Sequence, residues 1–297
     1  MSSNTSAPTT LQLYGFVPNR GASVFFAIAF GVLTTALLVV LHQASSHYTV
    51  SFNKSGAAPR FSKKHLALIY LPLIIGCLFE VIGFICRCVS VFSRANLDAF
   101  IGARVCILMG PSLFMTTMYI LFSRLLEMID LQQHFLFSNS VNRRVFIMGN
   151  IAGSILQGIG AGLTGSYDTY HTGKALLIAG LFVQIGIFTV FVLREWLMFR
   201  VVHSDAAGVA HCTVKWRQLN IVLLVSGALI MVRSIVRLVE VFEGVRSAIL
   251  LHEWYTYVFD TLPMVLLVVL YAASTPICSM FHVQQEVVNF LVGRSTV

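Results

Sequence analysis

Six ionisable side chains lie inside stretches of this sequence that are otherwise apolar. A charged group in hydrocarbon is costly, so a residue of this kind is a candidate for function. Three acids and three bases would balance in charge if they faced one common interior. They are Glu80, Arg104, Arg233, Arg237, Glu240 and Asp260.

The spacing of these residues predicts a shared polar interior. Arg233, Arg237 and Glu240 follow an i, i+4, i+7 pattern, which places them on one face of a helix. Pro263 follows Asp260 by three residues and would free a backbone carbonyl near it. Further amide and hydroxyl groups follow along two other apolar stretches, at Asn150, Ser154, Gln157 and Gln184.

We therefore expect a polar cavity that opens toward the outer leaflet and handles a substrate or a signal. Its pathway residues would be Glu80, Arg104, Gln157, Gln184, Arg233, Arg237, Glu240 and Asp260. The alternative is an ion-pair network that only fixes how the helices pack.

The elements that must position these residues are membrane-spanning helices. The chain has 297 residues, of which 57% are hydrophobic and 11% charged. Its mean hydropathy is +0.82. A soluble domain carries about 25% charged residues, because it must cover its surface with polar groups, and a bilayer removes that need.

Seven windows reach the roughly 20 apolar residues that a spanning helix requires. They run over 21–42, 66–87, 100–123, 145–165, 175–197, 218–241 and 254–276. The predicted fold class is an all-α, polytopic membrane bundle of seven transmembrane helices. The first window is not predicted to be a cleaved signal peptide, because no basic leader precedes it.

Lysine and arginine predict the orientation of the bundle. Of these 20 residues, twelve fall on one side of the membrane, five on the other and three within spans. The richer side is predicted to be cytoplasmic. Residues 1–20 would then be extracellular, 21–276 the transmembrane domain and 277–297 a cytoplasmic tail.

Two glycosylation sequons provide a test of that topology. Asn4-Thr5-Ser6 would face outward and be available for glycosylation, whereas Asn53-Lys54-Ser55 would face the cytoplasm. The apolar positions after Pro276 suggest a short helix on the inner leaflet, with partial disorder as the alternative.

Several kinds of chemistry are not expected. No G-x-x-x-x-G-K-[ST] sequence is present, so this chain would not use ATP itself, and we predict no cofactor. The histidines lie in loops or at span ends, which argues against a zinc hydrolase and predicts no metal site. The net charge of +8 comes from short loops and does not indicate nucleic-acid binding. The cysteines are expected to pack as apolar residues, with a Cys88–Cys106 disulfide as the alternative.

The same polar residues carry a resemblance to the fungal RTA-like, or lipid-translocating exporter, family, over roughly residues 14–276. Glu80-Val-Ile-Gly-Phe-Ile-Cys-Arg87 is similar to the family's E-x-x-G-[YF]-x-x-R pattern. Arg233-Ser-Ile-Val-Arg237-Leu-Val-Glu240 resembles R-S-x-[YF]-R-x-x-E, and Glu253-Trp-Tyr-Thr-Tyr257-Val-Phe-Asp260 resembles E-x-x-x-Y-x-x-D. The sequence departs from the family at Val236, Asn150 and Ala103.

The resemblance implies a fungal membrane protein, not an enzyme, that exports or translocates lipids or amphiphiles. The substrates implied are sphingoid long-chain bases and sterol-like toxic compounds, and the membrane implied is the plasma membrane. Composition equally permits the vacuole or the endoplasmic reticulum. The alternative function is a seven-span receptor or lipid sensor, although D-R-Y and N-P-x-x-Y sequences are absent.

Overall fold

The structure is a computed structural model and describes residues 19–55, 63–92, 96–129, 139–165, 168–203, 214–243 and 253–286. The helices are α1 Arg20–Ser55, α2 Lys63–Ile69, α3 Leu71–Phe92, α4 Leu97–Ile129, α5 Asn139–Leu163, α6 Tyr170–His203, α7 Val214–Glu243, α8 Glu253–Thr256 and α9 Leu262–Cys278. A π-helical turn, Tyr257–Thr261, joins α8 to α9.

Seven helical segments are long and apolar enough to cross a membrane, which confirms the predicted seven-span bundle. They are Arg20–His47, Lys64–Phe92, Leu97–Glu127, Val141–Leu163, Tyr170–Arg200, Val214–Phe242 and Trp254–Glu286. Most extend beyond the predicted windows, because each window marks only the roughly 20 residues that cross the hydrocarbon core, and a helix can continue into the interfacial region. The orientation in the membrane stays a prediction. We call the end of the bundle where α1 begins the N-terminal end and the opposite end the C-terminal end.

The second span is interrupted where Pro72 enters. The helix α2 ends at Ile69, and α3 begins at Leu71. Proline has no backbone N–H and cannot continue the hydrogen-bond ladder, but it fits the first turn of a new helix. Tyr70 bridges the break, since its N–H donates to the Ala67 carbonyl at 3.1 Å and its carbonyl accepts from Ile74 at 3.1 Å.

The spans form a closed ring. Going round it, α1 packs on α3, α3 on α4, α4 on α5, α5 on α6, α6 on α7, α7 on α9 and α9 back on α1. The helix α4 also contacts α6 and α7 across the ring, which makes it the most enclosed span. Large apolar side chains on the outer faces, such as Met148, Ile151 and Ile155 of α5, are exposed, as expected of surfaces that meet lipid.

Glycines bring α5 and α6 into close contact. A Cβ added to Gly180 would lie 2.7 Å from the Gly153 carbonyl, and one added to Gly173 would lie 2.8 Å from the Gly160 carbonyl. Small residues let helix backbones approach in this way. Not every glycine of α5 has this role, since a Cβ on Gly162 would meet nothing within 4 Å.

The segment after α9 folds onto the bundle. Residues 280–286 form a short helix, as expected, and Met280, Phe281 and Val283 are buried against the core. The Met280 N–H donates to the Tyr70 hydroxyl at 3.2 Å. These three side chains are therefore covered by protein, and the rest of the segment predicted to lie on the inner leaflet, residues 287–297, lies outside the described residues.

Candidate functional site

Asp260 binds two arginines of α7 near the N-terminal end of the bundle. Its Oδ1 accepts from Arg237 Nε at 2.8 Å and its Oδ2 accepts from Arg237 Nη2, so the guanidinium binds the carboxylate in a bidentate way. Arg233 Nε lies 2.9 Å from Asp260 Oδ1. The predicted spacing on α7 does place both arginines on the face that meets Asp260. Paired, two-pronged contacts of this type are the stronger class of charged hydrogen bond.

The local backbone completes this arrangement. Asp260 lies in the π-helical turn Tyr257–Thr261, just before Pro263, which occupies the first turn of α9. The Asp260 carbonyl accepts from Arg233 Nε at 3.2 Å, and the Ile107 carbonyl of α4 accepts from Arg233 Nη2 at 2.9 Å. The carbonyl that Pro263 would free in an α-helix is that of Phe259, four residues earlier, so the contact of the Asp260 carbonyl is a separate one. π-helical turns of this kind are frequent at functional sites.

Glu80 of α3 belongs to the same group of charges but is less completely bonded. Its side chain is 1% exposed, and its Oε1 has no hydrogen-bond partner among the described residues. Both arginines and Asp260 act on it electrostatically. It fits against α4 only because residue 110 is glycine, since a Cβ there would lie 2.7 Å from Glu80 Oε1.

Arg87 is a member that the predicted site omitted. Arg87 is 9% exposed, its guanidinium lies 5.2 Å from the centre of the Tyr257 ring, and it acts electrostatically on Asp260. The family-like pattern Glu80 to Arg87 had contained the signal. Seven residues are two helical turns, so both side chains point to the same face.

The remaining predicted charges lie at the edge of the site. Glu240 accepts from Arg237 Nη1 at 3.1 Å, and its side chain is 14% exposed. Arg104 is half-buried on α4, with its guanidinium 5.6 Å from the centre of the Phe100 ring. We use the name Asp260 cluster for Glu80, Arg87, Arg233, Arg237, Glu240 and Asp260.

Gln157 and Gln184 form a separate hydrogen-bonded chain between α5, α6 and α4. Gln157 Nε2 donates to Gln184 Oε1 at 2.7 Å, and Gln184 Nε2 donates to Asn150 Oδ1 at 3.0 Å. Asn150 Nδ2 then donates to the Ser112 carbonyl at 2.6 Å and to Thr116 Oγ1 at 3.0 Å. All three amides are buried, and their hydrogen bonds join the three helices.

Glu195 of α6 is a second buried carboxylate, and the sequence reasoning missed it. It has no exposed surface, and neither of its oxygens has a hydrogen-bond partner among the described residues. The signal was available, because residue 195 falls within the predicted window 175–197. The six charges predicted to lie inside spans did not include Glu195. An ionised carboxylate enclosed without a partner costs several kcal/mol.

Other polar side chains lie near Glu195 toward the C-terminal end. Thr189 and Met231 are in contact at 4.0 Å, and a Cβ on Gly227 would lie 3.3 Å from Val192. This antiparallel register of α6 and α7 sets Glu195 beside residues 224–226. We use the name Glu195 cluster for Glu195, Asn220, Ser226 and Tyr271.

The members of the Glu195 cluster are closely enclosed. Ser226 and Asn220 have no exposed surface, and both polar atoms of the Asn220 side chain are without a hydrogen-bond partner in the described part of the chain. The Tyr271 hydroxyl lies beside Ser226 and within electrostatic reach of Glu195.

Metal and disulfide chemistry find no support in the residues that the structure covers. Among them, no three His, Cys, Asp or Glu side chains are grouped so as to hold a metal ion. Cys88 and Cys106 are free thiols, which does not support the alternative of a disulfide between them. The predicted glycosylation site, Asn4, lies outside the described residues.

Comparison with known proteins adds an independent line of evidence. The family model for RTA1 like protein matches residues 73–284, a stretch that contains both clusters. No solved structure matches the chain.

Curated relatives align over almost the whole chain. Protein RTA1 of Saccharomyces cerevisiae is 33% identical, with 93% of this chain and 88% of the relative covered. Protoporphyrin uptake protein 1 of the same yeast is 30% identical, with 92% and 95% covered. The sphingoid long-chain base transporter RSB1 is 24% identical, with 93% and 75% covered. This multi-pass membrane protein therefore belongs to the RTA1-like family.

Proposed function

We propose that the protein moves amphiphiles with a cationic head group, such as sphingoid long-chain bases, from one leaflet to the other. It would do so without covalent chemistry, and therefore not as an enzyme. The Asp260 cluster would receive the head group, while the apolar tail stays among lipid and the outer faces of the helices. With the predicted orientation, this receiving site faces the extracellular leaflet of a membrane that we expect to be the plasma membrane.

The observation that carries the proposal is the unequal bonding of two neighbouring carboxylates. Asp260 is bound by Arg233 and Arg237, whereas the Glu80 side chain, at 1% exposure, has one oxygen without a hydrogen-bond partner in the part of the chain that the structure describes. A buried acceptor left unpaired is costly, and an ammonium group would satisfy it. The two arginines hold Asp260 in place, so Glu80 is the carboxylate free to change partner.

The path of the head group toward water lies along the rim of the cluster. The Arg237 and Glu240 side chains are 13% and 14% exposed, whereas Asp260 is 3% exposed. A cation approaching from that end would meet Glu240 first and Glu80 last. Exchange of carboxylate partners between arginine and ammonium would let it enter without leaving a charge unpaired.

The names of two relatives support this class of substrate. One is called a sphingoid long-chain base transporter and another a protoporphyrin uptake protein. A sphingoid base joins an amine head group to an apolar chain, which matches a carboxylate site between membrane helices. The difference between the two names leaves the specificity within the family to be tested directly.

The test uses purified protein in liposomes and follows the movement of labelled sphingoid base and labelled phospholipid between leaflets. We expect movement of the base to require the protein and to fall about tenfold in Glu80→Gln, which corresponds to loss of one charge-assisted hydrogen bond. Asp260→Asn should reduce it as well, since the arginines would then be released toward Glu80.

Glu127→Gln is the matched control. Glu127 is also a carboxylate bound by two arginines, Arg124 at 2.5 Å and Arg143 at 3.3 Å, but it lies at the C-terminal end of α4. Its rate should equal that of the wild type. Absence of movement for every lipid, in protein with an intact helical spectrum, would refute the proposal and favour the receptor or sensor function.

A further inference from the structure

We propose that Glu195 is a second cation station, at which a proton and the cationic head group bind in alternation, so that the protein exchanges protons for amphiphile. This inference rests on the function proposed above and supplies its energy source. The conformation described here is the proton-loaded one. The proton passes to water at the C-terminal end, and the carboxylate that remains takes the ammonium.

The Glu195 carboxyl is surrounded by apolar side chains of α6. Phe188, Phe191, Glu195 and Met198 follow i, i+3, i+7, i+10 spacing on α6, and all four are buried. Phe188 and Phe191 pack on Tyr119 of α4. This stripe is apolar except for Glu195. Packing alone does not require a carboxyl at this position, since a leucine would pack there as well. A buried acid without a structural partner is a candidate for proton transfer.

Among the described residues of the neighbouring helices, no cation is paired with Glu195. Arg124 and Arg143 bind Glu127, and Arg194 lies over the Phe146 ring at 5.8 Å. Four other basic groups near this end are exposed or half-buried: Arg144, Arg200, Lys215 and Arg217. Of these, Arg200 lies over the Trp196 ring. α9 carries no charged residue, and its titratable side chain facing Glu195 is Tyr271. Burial without a partner cation favours the neutral, protonated carboxyl.

The occupant of Glu195 in this conformation is a proton. The site is closed to a head group in this conformation, because none of its side chains Glu195, Asn220 and Ser226 has exposed surface. A proton needs none. Because an ionised Glu195 is tolerated only beside another cation, proton and ammonium compete for one carboxylate, and competition of that kind produces exchange rather than cotransport.

A route to the C-terminal end is provided by polar side chains of α7. Asn220 lies about 9 Å from Ser226 along the helix, and both polar atoms of its side chain have no hydrogen-bond partner among the described residues. Lys215 and Glu286 meet at that end, where the Lys215 N–H donates to Glu286 Oε2 at 3.1 Å. Separation of α6 from α7 at this end would expose Asn220 first and Glu195 next.

The experiment imposes a pH difference across liposomes that contain the protein. Two probes are compared: a sphingoid base with a free amine, whose ammonium form can donate to the carboxylates, and its trimethylated form, which has no N–H but whose permanent charge excludes passive trapping of the free amine. One-for-one exchange predicts about tenfold accumulation in the leaflet on the acidic side for each pH unit. In Glu195→Gln this dependence on the gradient should vanish. In Glu195→Asp, which still titrates, and in Glu127→Gln it should persist.

Infrared difference spectroscopy between two pH values provides a second readout that needs no transport. A band from a protonated carboxylic acid should be present in the wild type and in Glu127→Gln and lost in Glu195→Gln. If the lipid moves but ignores the gradient, or if Glu195→Gln still follows it, the inference is wrong and the proposed function stands. If no lipid moves, the proposed function fails, and exchange fails with it, whatever the infrared band shows.

Discussion

The two ends of the bundle treat a buried carboxylate in opposite ways. Asp260, near the N-terminal end, is bound by Arg233 and Arg237, and its side chain is 3% exposed. Glu195, toward the C-terminal end, is enclosed among apolar side chains and has no hydrogen-bond partner in the described part of the chain. Both are equally hidden from solvent, so burial alone does not separate them.

The difference teaches that pairing decides what a buried charge does. A bound carboxylate resists removal, because breaking one member of a buried pair leaves the other charged and unsolvated. An unbound carboxyl can be neutralised by one proton at little structural cost. Glu80 lies between these extremes, since it belongs to the Asp260 cluster but keeps an unbonded oxygen.

The largest effect on stability is expected from Asp260→Ala. It leaves Arg233 and Arg237 without their shared carboxylate, so the free energy of unfolding should fall by about 3–5 kcal/mol. Thermal denaturation of the protein in detergent measures this. Glu240→Gln, at the more exposed rim of the same cluster, is the control and should cost no more than about 1 kcal/mol. Equal losses in the two variants would contradict the distinction between the paired core and the rim.

Gly110→Ala is expected to displace the Glu80 side chain, which provides the three atoms nearest to the new methyl group. The new methyl would lie 2.7 Å from Glu80 Oε1 and must displace it, at a cost of about 1–3 kcal/mol. Gly186→Ala is the matched control on α6, because its Cβ would meet nothing within 4 Å and alanine favours the helix. Thermal stability and movement of the sphingoid base should both fall in Gly110→Ala. Neither should fall in Gly186→Ala. Unchanged base movement in Gly110→Ala would argue against Glu80 as the binding carboxylate.

Gln184→Leu breaks the amide chain that lies between the two clusters. Removing this side chain takes one partner from Gln157 and one from Asn150, which should cost about 1–3 kcal/mol of stability. Lipid movement at a temperature where the variant stays folded tests its other role. A normal rate would assign Gln157 and Gln184 to helix packing and remove them from the predicted pathway, whereas a reduced rate would keep them in it.

Glu195→Gln is expected to have the smallest effect on stability and is the sharpest contrast with Asp260→Ala. Glutamine has the shape of the protonated acid and carries no charge, so the free energy of unfolding should change by less than about 1 kcal/mol. The midpoint of thermal unfolding, compared with that of Asp260→Ala in the same detergent, measures the difference. A loss as large as that of Asp260→Ala would mean that Glu195 is ionised and paired after all.

The sequence anticipated the Asp260 cluster because its members follow helical spacing within apolar windows. Arg233 and Arg237 on one face of α7, with Asp260 before Pro263, were enough to predict that these charges meet. Arg104 was grouped with them on depth alone, and it lies over Phe100 instead. Depth in a membrane fixes the level of a side chain, but the direction in which it points depends on how its helix is rotated against its neighbours.

By itself the sequence determined seven spans, the helical class and the charge balance of one cluster, because apolar length and 3.6-residue periodicity are local properties of the chain. Only the tertiary structure decided which side chains are paired. Contacts between helices distant in sequence make room for Glu80 at Gly110, bring Gln157 to Gln184 and leave Glu195 without a paired cation among the described residues. Such contacts depend on the rotation and close approach of whole helices, which no single segment encodes.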